Sequence, residues 1–193
     1  MKKQKKLQKI VENYFGETRS YDIWNDALDE YDALIPHSYG ESKGRTDNLV
    51  NNIYPMIALY RAIQKNNVDK EEALKSMFDI MREKTTNGIR KQYKFFGKTP
   101  LIFPLIRFMF GQGLKGDSWK VHFIESNKEN FRYDIKECLW AQACSKEGCP
   151  ELCQIFCRND EINFVDISKY MKFHRTKTIG NGDDICDFHF SRH

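Results

Sequence analysis

The chain has 193 residues, 40% of them hydrophobic and 30% charged, a balance that fits a globular protein rather than a disordered or membrane one. Five lysines among the first nine residues supply more than the whole formal net charge of +4, so the folded remainder should lack the stripe of Lys and Arg interleaved with aromatics that a nucleic-acid face needs. The longest apolar run, Leu101 to Phe110, is interrupted by Pro104 and Arg107 and falls far short of the roughly 20 residues that cross a bilayer. No apolar segment follows the basic N-terminus, so no export signal is expected.

The N-terminal half reads as helices. The first lysines, from Lys2 on, form the solvated face and start of a helix that carries Leu7, Ile10, Val11, Tyr14 and Phe15 at helical spacing. A second run, 21–34, places Ile23, Trp24, Ala27, Leu28, Tyr31 and Leu34 on one face, and Ile35-Pro36-His37-Ser38-Tyr39-Gly40 ends it. A third carries Leu49, Ile53, Met56, Ile57, Tyr60 and Ile63, with Pro55 either kinking it or marking its first turn. Asp69-Lys70-Glu71-Glu72 is a capping box, with Asp69 as the cap and Glu72 reaching back. Leu101 to Phe110 is expected to be a buried helix ended by Gly111-Gln112-Gly113.

After Gly116 the apolar period drops to two. Trp119, Val121 and Phe123, then Phe131, Tyr133 and Ile135, alternate with polar residues on either side of a hairpin-like connection, 126–130. A helical stretch over 139–159 follows, broken near Gly148 with Pro150 at a first helical position. Two alternating runs, Met171 to Ile179 and Ile185 to Phe190, join across Asn181-Gly182, a short-turn signal. The expectation is a single α+β domain over 1–193, its helical N-terminal half packed on a four-stranded antiparallel sheet in ββααββ order.

Six cysteines in a chain expected to be cytoplasmic should be reduced thiols, serving as small buried hydrophobes, metal ligands or reactive groups. Cys149, Cys153 and Cys157 fall at i, i+4 and i+8, one stripe of a helix that suits either packing or a soft metal. Cys138 beside a helix start and Cys157 next to Arg158 loosely meet the electropositive condition for a nucleophile. By strand parity Cys186, Phe188 and Phe190 share an apolar face while Asp187 and His189 point the other way. In the preceding run His174, Thr176 and Thr178 share the polar face, and Arg175 falls with Met171, Phe173 and Ile179. A charge there requires a partner, a ligand carboxylate or a route to water. His122, His174, His189, Asp134 and Asp187 line the polar face of the sheet, the side an antiparallel sheet commonly turns to water. Gly-x-Ser-x-Gly, His-Glu-x-x-His, a P-loop and a dinucleotide glycine fingerprint are absent from the sequence.

Several motifs together carry a resemblance. They are Glu137-Cys138, Gly148-Cys149-Pro150-Glu151-Leu152, Cys157-Arg158-Asn159-Asp160, and Arg175-Thr176-Lys177-Thr178-Ile179-Gly180 leading into Cys186-Asp187-Phe188-His189-Phe190. Upstream, Ile35-Pro36 with Gly40 and Ala58-Leu59-Tyr60-Arg61 add to them. In these features the sequence resembles the L-2-amino-thiazoline-4-carboxylic acid hydrolase family, with the specific part in the C-terminal third. Cys144 and Cys153 lie outside the family pattern, and 37–48 is polar where the family is glycine-rich and shorter.

The resemblance implies opening of the ring of 2-amino-Δ2-thiazoline-4-carboxylate by water, giving a carbamoyl-cysteine on a route to cysteine. Such a reaction needs a base or thiolate at C2, an acid for the leaving group, and a cation for the 4-carboxylate. Cys157, Asp160, Asp187 and Cys138 are the candidates for catalysis, and Arg175, Thr178 and His174 for substrate binding. Cys138, Cys157 and Cys186 are the candidate ligands should a metal be bound. The sequence requires no cofactor and leaves room for a divalent metal. The partner expected is a small-molecule substrate, with a homodimer allowed and neither nucleic acid nor membrane. The alternative reading is a non-catalytic small-molecule or metal-binding sensor domain of the same fold.

Overall fold

Helical periodicity in the first half produces α1 (Lys5–Phe15) and α2 (Glu17–Leu34). α3 (Lys43–Asn48), with no buried residue and a Ser42 cap, instead falls in the polar stretch expected to be a loop. α4 (Tyr54–Lys65), α5 (Lys70–Asn87), α6 (Ile89–Phe96), which was not expected, and α7 (Ile102–Gly113) follow. The second half supplies β1 (Trp119–Ser126), β2 (Asn130–Cys138), α8 (Leu139–Lys146), α9 (Cys153–Phe164), β3 (Met171–His174) and β4 (Cys186–Arg192). The computed structural model describes residue 1 and residues 4–193, less the side chain of residue 89. Lys2 and Lys3, part of the expected basic helix start, lie outside the described residues. The class is α+β, with a four-stranded antiparallel sheet in the C-terminal part. No helix among the described residues is long and apolar enough to cross a membrane.

The contacts divide the chain into two compact units, 1–84 with 143–155, and 85–142 with 156–193. In the first unit α2 packs along α4, which is buried continuously from Tyr54 to Tyr60 as a helix apolar on most sides must be. Pro55 sits in the first turn of α4, after a π-helical turn over Leu49–Ile53, where its missing N–H leaves no bond unmade. The Asp69 side chain accepts the Glu72 N–H at 2.9 Å and caps α5.

The second unit is built on the sheet, whose strand order is β1-β2-β4-β3. Asn127 closes the β1–β2 hairpin, its side-chain oxygen accepting the N–H groups of Glu129 and Asn130, each at 2.8 Å. Tyr133 stands opposite Phe188, and Ile135 opposite Cys186. One sheet face, with Phe131, Tyr133, Ile135, Cys186, Phe188 and Phe190, forms a core with Phe103 and Ile106 of α7 and Phe164 of α9. The strand-parity reading of β4 therefore holds, with Cys186 buried and Asp187 and His189 on the opposite face.

Three expectations need correction. First, α7 runs on through Gly113 and is buried only along Ile102, Phe103 and Ile106, while Phe108 is 67% exposed. Second, the run expected to extend from Met171 to Ile179 is a strand only as far as His174. Beyond it the Asp187 carboxylate takes the Thr176 and Lys177 N–H groups that a ladder would have used. Parity lapses with the ladder, so Thr178 is buried rather than sharing the polar face of His174. The expected Asn-Gly turn survives as a short 3-10 segment, Ile179–Asn181, closed by Gly182 in the left-handed region. Third, Cys149, Cys153 and Cys157 do not form one α-helical stripe. A 3-10 turn, Pro150–Leu152, follows Cys149, and only Cys153 and Cys157 lie on α9.

Candidate functional site

Arg175 leaves the end of β3 on the apolar side, and its side chain is only 2% exposed. Burying a guanidinium is costly unless its donors find acceptors. One terminal nitrogen donates to Asp160 Oδ2 at 2.7 Å; the other donates to the Cys157 carbonyl at 2.7 Å and to Glu161 Oε1 at 3.2 Å. The plane lies over Phe188 and Phe173, with Cζ 5.2 and 5.9 Å from their centroids. Asp187 fixes the chain just beyond, accepting the Thr176 N–H at 2.9 Å and the Thr176 hydroxyl at 2.7 Å. The sequence thus delivers a cation to an apolar face, and α9 supplies the acceptors one turn apart.

Burial pushes the Asp160 carboxyl up to about 7, outweighing the opposite pull of Arg175. Its side chain still keeps 32% exposure, so it can exchange protons with a ligand or with water. Three buried donors have no partner among the described residues: Arg175 Nε, the Tyr133 hydroxyl and the Thr178 hydroxyl. Tyr133 feels the charges of Asp160 and Arg175, and burial first and Asp160 next raise its phenol well above the ordinary range. An unmet buried donor costs roughly 1–3 kcal/mol, which an acceptor such as a ligand carboxylate would relieve.

Thiols border this group. Cys186 is hydrogen-bonded to Cys157 and held above the usual thiol range by that bond first and by burial next, while its sulfur accepts the Ile179 N–H at 3.2 Å. Cys157 also lies close enough to the Arg175 guanidinium to act on it electrostatically. Cys138, near enough to feel Cys157, is raised by burial against the pull of N–H groups at the start of α8. All six cysteines are free of disulfides. Among the described residues no three His, Cys, Asp or Glu side chains are grouped as a metal site would need.

The family model of L-2-amino-thiazoline-4-carboxylic acid hydrolase matches residues 49–190. The chain belongs to that family. No protein with curated function matches significantly. Among solved structures, the Fe(II) unliganded H-NOX protein from K. algicida aligns at 11% identity over 98% of this chain and 94% of that one, with a TM-score of 0.34. The H-NOX domain from Shewanella oneidensis in the Fe(II)CO ligation state aligns at 11% identity over 95% and 97%, with a TM-score of 0.30. Overlaps this weak carry no inference for this chain.

The family's motifs separate into two places. Tyr60 donates its hydroxyl to Glu151 at 2.8 Å, and Arg61 donates to the Glu147 carbonyl at 2.6 Å and its carboxylate at 3.2 Å. His37 completes that contact at 2.8 Å from Glu147. The Ala58–Arg61 and Gly148–Leu152 motifs therefore meet in the first unit. Cys149 there is held below the usual thiol range by its bond from Cys144, with Arg61 assisting against burial. The C-terminal motifs build the second unit's group, where Cys157, Asp160, Arg175, Cys138 and Cys186 come together. Thr178 adjoins them through the Ile179–Cys186 bond. Asp187 lies on the backbone beside Arg175, and His174 stands apart on the other sheet face, its ring 5.9 Å from that of His189.

Sequence reasoning missed Tyr133, Glu161 and Glu147. For Tyr133 the signal was available: one hydroxyl in the otherwise apolar run Phe131, Tyr133, Ile135. Glu147 carried no such mark.

Proposed function

We propose that the chain is a hydrolase that opens the ring of a small thiazoline-type carboxylate. The observation that carries the reading is a buried guanidinium holding a carboxyl that titrates near neutrality, beside the half-buried Cys157, within the C-terminal pattern that carries the resemblance. The substrate carboxylate takes the unmet donors of Arg175 Nε, Tyr133 and Thr178. Asp160 is the proton carrier, since a group titrating near 7 can both take a proton and return it. Water adds its oxygen to C2 and a proton to the ring nitrogen. The C2–S bond then breaks, the hydroxyl proton passes by way of Asp160 to the departing sulfur, and the carbon becomes a carbamoyl group. Asp187 is a positioning residue that aims Arg175. In the alternative, the Cys157 sulfur bonds to C2 as the ring C2–S bond breaks and the departing sulfur takes a proton, and water then adds to C2 of the adduct and releases the Cys157 thiol and the same carbamoyl product.

Turnover of 2-amino-Δ2-thiazoline-4-carboxylate is read directly as released thiol. Cys157→Ser, Asp160→Asn and Arg175→Lys are each expected to abolish or sharply cut turnover while circular dichroism stays that of the wild type at the assay temperature, the two pair variants shifting only in melting temperature. Full activity in all three variants would refute the site. Binding of the compound without turnover by the wild type would instead support the sensor reading. An adduct on Cys157 in intact-mass spectra assigns the attack to the thiol.

A further inference from the structure

The sheet's unit carries a surface that the hydrolase reading does not use. Residues 85–116 hold six Lys or Arg and no Asp or Glu, against a net charge of +4 for the whole chain, so the rest is net acidic. The expectation that the folded remainder lacks Lys and Arg interleaved with aromatics fails at 90–98, where Tyr93, Phe95 and Phe96 fall among Arg90, Lys91, Lys94 and Lys98. Arg107 and Arg90 donate to the Asn127 and Val165 carbonyls, and neither forms an ion pair among the described residues. Lys91, Lys94 and Lys98 are exposed.

The same stretch exposes large apolar side chains. In α7, Ile102, Phe103 and Ile106 face the core. The outward stripe ought then to be polar, yet it starts at Leu101, 66% exposed, and continues through Leu105 to Phe108 at i, i+4 and i+7, with Met109 beside it. At the end of α6, Phe95 is 69% exposed and Phe96 also stands open. Scattered exposed hydrophobes need no explanation, but a helix apolar on its outward stripe, flanked by aromatics and by one sign of charge, does.

We infer that α6 and α7 form a docking face for an anionic lipid surface, lying in the headgroup layer with Phe95, Leu101 and Phe108 directed inward and the lysines on lipid phosphates. The charge selects this occupant. A second copy of the chain would bring the same positive face against itself, and a neutral bilayer would leave the cations unpaired. Lying on a membrane requires no spanning segment. The expectation of no membrane partner came from the lack of a span and does not bear on such a surface.

The test is flotation of the full chain with phosphatidylcholine vesicles, with and without phosphatidylserine. The protein should float with the anionic vesicles, stay behind with the neutral ones, and be released by salt. Phe108→Asp and the pair Lys91→Glu with Lys94→Glu should each weaken partition about tenfold or more, with melting temperatures unchanged because the sites are exposed. Three results would overturn the inference. They are no flotation with anionic vesicles at low salt, undiminished flotation of either variant, or a wild-type dimer in solution that Phe108→Asp dissociates. Partition is read independently of turnover, so it stands or falls apart from the hydrolase reading.

Discussion

Replacing Arg175 by Met removes a cation from a site where its side chain is 2% exposed, and leaves the Cys157 carbonyl and Asp160 without it. Breaking a buried ion pair from one side costs about 3–5 kcal/mol when the remaining charge is trapped. Asp160 is not trapped. Burial already holds it near 7 with the arginine pulling it down, so without Arg175 it rises further and takes up a proton. That escape leaves the unmet carbonyl and the lost contact over Phe188, offset by removal of the unpaired Nε, for a net loss of about 2 kcal/mol near pH 6. Above pH 7 Asp160 must ionise in the wild type beside its partner and in the variant alone. The deficit therefore grows with pH, to about 3 kcal/mol by pH 9. Urea unfolding of both proteins across that range measures it. A loss below about 0.5 kcal/mol, or one that does not change with pH, would show that the two groups are uncoupled and refute the reasoning.

Other consequences can be measured alongside. Asp160 binds its proton up to about 7 when folded against 3.8 for the free group. Its contribution therefore makes stability fall as pH rises between those values, and Asp160→Asn should abolish that slope. The full shift corresponds to ~4 kcal/mol, which partial exposure reduces to roughly half; urea midpoints at intervals of pH decide it. Tyr133→Phe deletes an unpartnered hydroxyl, so thermal melting should show a gain of about 0.5–1 kcal/mol while KM for the thiazoline carboxylate rises more than kcat falls. A Cβ on Gly97 would clash with the Ile167 carbonyl oxygen, so Gly97→Ala should cost about 2–3 kcal/mol in a urea melt, and a neutral result would contradict that close approach.

Local signals reached far in this protein. The cap at Asp69, the Asn127 hairpin and the burial of Cys186 with Phe188 followed from spacing alone, because each depends on neighbours within a few residues or on strand parity. The site was legible only in part. Arg175 announced itself as a charge among apolar residues, and Asp160 came from the family pattern. That the two meet could not be read, since α9 and the end of β3 are brought together by the core around Phe164 and Phe173.

The sequence by itself determined the α+β class, the family and the unusual cation at Arg175, all encoded in periodicity and motif. Tertiary structure alone decided where the alternating run from Met171 stops, because a side chain eleven residues away, Asp187, competes for the Thr176 N–H and breaks the ladder. It also decided that Asp160 titrates near neutrality, since burial is a property of the surrounding packing and not of the residue. The outward apolar stripe of α7 is of the same kind: composition marked Leu101 to Phe110 as apolar, and only the packed core showed which of its faces was left open.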